Sequence, residues 1–187
     1  MVPLTSLVAP IFVSGVIVFI ASSLVHMVLG YHKGDFRSVP AEDEVMAALQ
    51  KFNLQPGDYM MPRPASMEAM KSAEFKAKHE KGPVMIATVI KPGPLTMGPQ
   101  LIQWFVFICV VSLFTAYVTG RTHAPGTTYL SIFRTAGCTA FMAYTFAYWP
   151  QTIWYQRAIG TTLRNTFDGL VYGLLTAGVF GWLWPHA

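Results

Sequence analysis

The sequence predicts an all-α membrane protein: four transmembrane helices, with a small α+β or irregular cytoplasmic segment between the first and the second. Three observations carry this. Of 187 residues, 53% are hydrophobic and only 12% charged, about half the charge of a soluble domain. Long apolar runs recur four times along the chain. Of the 22 charged residues, 17 lie in a single stretch, 31–98, which divides the chain into 1–30, 31–98 and 99–187. Such hydrophobicity excludes disorder over most of the length, and two cysteines exclude a disulfide scaffold.

A spanning helix needs about 20 mostly apolar residues to cross roughly 30 Å of hydrocarbon. The first such run is Leu7 to Leu29, with Pro10 in its first turn and His26 as its only ionisable side chain. No Lys or Arg precedes Lys33, which is the wrong flank for a cleaved secretory signal, so the run reads as a permanent helix. The second is Gln100 to Thr119. The third, Thr128 to Trp149, contains Arg134, and the fourth, Phe167 to Trp184, contains Asp168 near its start.

Lys and Arg set the orientation. Segment 31–98 holds nine of them, and Arg157 and Arg164 fall on the same side of a four-helix topology, against Arg121 alone on the other. The segment is therefore expected in the cytoplasm and both termini outside, as in a bacterial plasma membrane protein. The nine basic residues face eight acidic ones, leaving a net +1. That balance gives no polybasic surface for nucleic acid.

Within the segment, Pro40 and the carboxylates Glu42, Asp43 and Glu44 suit a helix N-terminus. Val45, Leu49 and Phe52 then form one apolar face, ended by Pro56-Gly57. Ser66 to Lys81 predicts a second helix, with Glu74 and Lys78 paired one turn apart. Val84 to Ile90 is short and β-branched and predicts a strand, paired with the extended stretch Tyr59–Pro64 or left open for another chain.

Reactive groups do not converge in the sequence. His26 has no histidine at matching depth on the other helices, which argues against haem, and His26 and His32 read as interfacial polar residues. Met67 and Met70 have an M-x-x-M spacing that suits Cu(I). The segment has no cysteine, however, and seven of the ten methionines lie in it, so they read as an adaptable contact surface. No catalytic residue, cofactor or metal is expected. Asp168 sits four residues after Arg164, and the two are expected to pair, the alternative being a contact with lipid, substrate or partner. Arg134 stands about two turns inside the third helix, where it is expected to snorkel outward or, alternatively, to contact an anionic lipid, a substrate or a partner's carboxylate. Tyr144 and Tyr148, one turn apart, belong to an interfacial aromatic belt or to the wall of a flat ligand's site.

The most specific pattern is Gly169, Gly173, Ala177 and Gly181, small residues every four positions on the fourth helix. These allow close approach of another helix. Gly137, Ala140, Ala143 and Ala147 offer a matching face on the third. The sequence thus points to an integral membrane accessory or structural subunit packing against a larger complex. Its partners would be the lipid bilayer and other membrane subunits or itself. The alternative is an oligomeric small-solute transporter or channel using Arg134.

Overall fold

The computed structural model describes residues 1–186 and is mostly helical, with one two-stranded sheet. The chain divides into two compact units. One comprises Met1–Phe36 with Thr96 onward, the other Arg37–Leu95.

The first unit is built from long helices. A 3-10 turn, Leu4–Leu7, leads into α1 (Val8–Ser23), which continues through a π turn, Leu24–Val28. The apolar runs read in the sequence give α1 and α5 (Gly98–Thr122). Leu4–Val28 and Gly98–Thr122 are the two helices long and apolar enough to cross a membrane. Their interface carries small and hydroxylated residues. Ser14 Oγ lies 3.0 Å from Ser112 Oγ, and Trp104 Nε1 donates to Ser22 Oγ at 2.8 Å. The N-terminus is tied to the end of α5 by Val2 N–H donating to the Gly120 carbonyl at 2.8 Å. A Cβ at Gly120 would stand 2.7 Å from the Val2 carbonyl oxygen, so this contact needs glycine.

The remaining helices differ from the sequence expectation in their bounds. The third run was expected to reach Trp149, but α6 (Tyr129–Thr145) stops earlier and α7 (Tyr148–Tyr155) begins anew. Pro150 is the cause. It has no N–H to donate to the Phe146 carbonyl, and its ring would clash with that carbonyl in a continuous helix. The fourth run was expected from Phe167, but α8 starts eight residues sooner, Ile159–Trp182. Its first two turns are polar and invisible to a hydropathy reading. They hold together because Thr162 hydroxyl bonds Thr152 on α7 and Thr166 Oγ donates to the Thr162 carbonyl at 2.7 Å. α8 packs most extensively on α6, and α1 packs on both α5 and α8. Two apolar clusters fill the interior. One is centred on Leu7, Ile132 and Phe180, the other on Val18, Ile108 and Tyr144.

The second unit contains α2 (Glu42–Gln50), β1 (Gly57–Met61), α3 (Met67–Lys71), α4 (Ala73–Lys81) and β2 (Met85–Val89). The expected helix from Ser66 to Lys81 is split at Ser72, whose backbone is extended and whose hydroxyl caps Phe75 N–H. Ser66 caps α3 by accepting from Ala69 N–H. Side-chain capping at two serines thus makes two short helices where one was expected. The strand finds its partner within the chain. β2 pairs antiparallel with β1, from Gly57 opposite Val89 to Met61 opposite Met85, so the partner begins two residues before the expected Tyr59. Asp58 Oδ1 accepts a cross-strand bond from Thr88 Oγ1 at 2.6 Å. Glu74 and Lys78 form the expected pair at 2.8 Å, which holds the Glu74 carboxyl below its ordinary value. No residue from 37 to 95 is buried.

Candidate functional site

A cluster of ionisable side chains forms where α1 ends. The π turn carries His26, and Leu29 N–H closes it by donating to the Leu24 carbonyl at 3.1 Å. Turns of this kind are frequent at functional sites. Gly30 then takes a left-handed conformation, φ 65°, and a 3-10 turn, Tyr31–Gly34, follows. This reversal lays the His32 ring against His26, with centroids 4.4 Å apart and planes within 8°. The Tyr31 ring also lies against His32, with centroids 4.3 Å apart and planes tilted by 42°.

His32 bridges two carboxylates. Its Nδ1 lies 2.7 Å from Asp35 Oδ2, and its Nε2 lies 2.8 Å from Asp168 Oδ2 on α8. The other oxygen of Asp35 accepts from Arg164 Nη2 at 2.5 Å and Nε at 2.8 Å, and from Thr161 Oγ1 at 3.2 Å. Burial pushes the Asp35 carboxyl up, but the bonds from His32, Arg164 and Thr161 outweigh it and hold it below its ordinary value. The His26 ring is oriented by Nδ1 donating to the Ser22 carbonyl at 3.1 Å. A carbonyl only accepts, so Nδ1 is the donor, and in the neutral ring Nε2 is the nitrogen with the free lone pair.

A cavity of about 240 Å³ adjoins the cluster, lined by His26, Trp104, Tyr144, Tyr148, Asp168 and Tyr172 among others. Three of the lining residues carry a buried polar atom with no hydrogen-bond partner among the described residues: Tyr144 Oη, Tyr172 Oη and Asp168 Oδ1. Each such orphan costs roughly 1–3 kcal/mol.

The sequence reading is corrected here in three respects. Arg164 does not pair with Asp168. It pairs with Asp35, and Asp168 is taken by His32. Asp168 lies in the third turn of α8, not the first, because the helix starts at Ile159. His26 and His32 are not isolated interfacial residues. One ligand atom from each, with one from Asp168, lies within 4.8 Å of the others.

The other residues singled out in the sequence fall elsewhere or at the margin. Tyr144 is buried and Tyr148 half-exposed, and both line the cavity. Gly169, Gly173 and Gly181 lie against α6, where added Cβ atoms would meet Thr145, the Phe141 backbone and the Tyr129 ring respectively. The Ala177 Cβ stands 3.0 Å from where a Cβ on Gly137 would sit. The two small-residue faces therefore touch within the chain at Gly137 and Ala177, whereas Ala143 and Ala147 are exposed. Arg134 is exposed and borders a shallow groove with Gly137, Cys138 and Gly173, away from the cluster.

Sequence reasoning missed His26, His32, Asp35, Trp104 and Tyr172. One signal was present: two histidines either side of Gly30, with Asp35 three residues past the second. Comparison with protein-family models, curated proteins and solved structures finds no match for this chain.

Proposed function

We propose that the chain is an integral membrane accessory subunit that crosses the bilayer four times and packs against a larger membrane complex. Segment 31–98 is then cytoplasmic and both termini lie outside. One observation carries the reading: the 37–95 unit has no buried residue, while Phe52 is 71% exposed, Ile90 78% and Leu95 99%. A unit of this size without a core needs cover, and exposed apolar surface of this extent belongs to an interaction site. Its methionines, with flexible unbranched side chains, suit an adaptable protein contact.

The four-span topology draws support from helix length and from where polar groups point. At 1.5 Å per residue, α8 is roughly 36 Å long and α6 roughly 26 Å, against a range of about 17–25 residues for spanning helices. Thr145, Thr162, Asp168 and Thr176 on these helices are buried, away from where lipid would be. Arg134 is the exception, exposed and without an ion pair among the described residues. On a lipid-facing surface such a group seeks a carboxylate of a neighbouring chain or a lipid phosphate.

The test is purification from native membranes in mild detergent. The protein is expected to elute with other polypeptides, and Leu49→Asp with Phe52→Asp to release them. A lone monomer that brings down nothing contradicts the reading. The runner-up, an oligomeric transporter, rests on Arg134 bordering a groove. It requires solute flux in proteoliposomes that Arg134→Ala abolishes, and the accessory reading expects none.

A further inference from the structure

We propose that His26, His32 and Asp168 form a binding site for one divalent transition-metal ion, of the Zn(II) or Fe(II) class, with open coordination positions toward the adjoining cavity. Two imidazoles and one carboxylate are a ligand set these ions take while keeping positions free. Three features of the chain go beyond the mere presence of these residues.

The first is proximity: the three ligand atoms lie within 4.8 Å of one another. They come from three elements, the π turn, the 3-10 turn and α8, with Asp168 136 positions beyond His32 in sequence. The second is the orientation of the histidines. Ligating imidazoles usually donate their other ring N–H to a carboxylate or a carbonyl, which fixes the tautomer and raises ligand basicity. Both partners are present. His32 Nδ1 faces Asp35 at 2.7 Å and His26 Nδ1 faces the Ser22 carbonyl at 3.1 Å. Arg164 in turn holds Asp35. Each ring is thereby left with Nε2 as its available ligand atom. The third is the carboxylate. Asp168 is 3% exposed, lines the cavity, and has an Oδ1 with no partner among the described residues.

The ion takes the place of the proton now shared between His32 Nε2 and Asp168 Oδ2, 2.8 Å apart. Two ligands on one ion at about 2.0–2.1 Å stand only slightly farther from each other than that, so Asp168 moves little. The two rings are near-parallel, and an ion cannot lie in both planes at once. His26 must therefore turn out of the stack. It is the exposed member of the three and sits in the irregular π turn, so it is the ligand with room to move. Asp35 is a positioning residue and does not touch the ion.

The test uses the full-length protein, purified without a histidine tag and stripped with chelator. Zn(II), Fe(II) under anaerobic conditions and Co(II) are then added singly. One equivalent of metal is expected to remain after desalting. Co(II) is expected to give d–d absorption typical of mixed nitrogen and oxygen ligation. His26→Gln, His32→Gln and Asp168→Asn should each weaken binding at least tenfold and abolish that absorption. Asp35→Asn should keep the stoichiometry but lower affinity about 10–100-fold. His79→Gln, on an exposed helix, should change nothing. If Asp168→Asn fails to fold, His26→Gln decides, since it removes no buried bond from α8. Failure of the wild type to retain metal, or wild-type affinity in His26→Gln, overturns the proposal. Copurification of partner chains is a separate readout, so loss of metal binding and loss of the accessory role are distinguishable.

Discussion

Asp35 shows how a residue in a polar loop acquires a structural task. By sequence it is one of eight acidic groups in a mixed-charge segment. In the fold its side chain is only 11% exposed, with one oxygen on His32 and the other on Arg164. Breaking a buried pair strands the remaining charge, and partial exposure of Arg164 softens the cost. Arg164→Met is therefore expected to destabilise the protein by roughly 1–3 kcal/mol, read as a lower thermal midpoint in detergent. Arg157→Met, at an exposed position, should leave the midpoint unchanged, and equal effects would contradict this account of the ion pair. How much of the site was legible follows from the same residues. His26, Gly30, His32 and Asp35 are close in sequence, and their spacing around a glycine could have been read as a turn carrying ligands. Asp168 could be recognised as a lone charge at the edge of an apolar run. Its partner could not, because an i,i+4 arginine was the nearest candidate and the true contact is a tertiary one.

Among the elements, the long apolar helices were legible because hydropathy and length alone define them. What escaped were boundaries set by single residues. Pro150 ends α6 five residues before itself, Ser72 splits a helix by capping, and polar turns extend α8 backwards through threonine bonds. The small-residue repeat on α8 was legible as a packing face but not as to its neighbour, since both α6 and another subunit would use the same pattern. The contact with α6 gives a graded test. A Cβ at Gly169 would stand 2.2 Å from Thr145 Cγ2 and 3.2 Å from Tyr144 Cβ, whereas one at Gly178 would meet only the Tyr129 hydroxyl at 3.7 Å. Gly169→Ala is expected to cost about 1–3 kcal/mol by overpacking. Gly178→Ala should be neutral or slightly stabilising, since alanine is the better helix former. The check is the pair of thermal midpoints, and equal values would contradict close packing at Gly169.

At the scale of the whole molecule, two units follow different physics. The helical unit buries its own polar groups and apolar clusters. The 37–95 unit folds its backbone into helices and a hairpin-like sheet yet buries none of its side chains. Its charges nearly cancel, so the exposed Val45, Leu49, Phe52 and Ile90 are its distinguishing surface. That contrast underlies the proposed accessory role. The most direct measurement places a photo-crosslinking amino acid at Phe52 and irradiates native membranes. The account predicts a covalent adduct with a different polypeptide, resolved by mass spectrometry. Adducts with lipid alone, or no adduct at all, would contradict it.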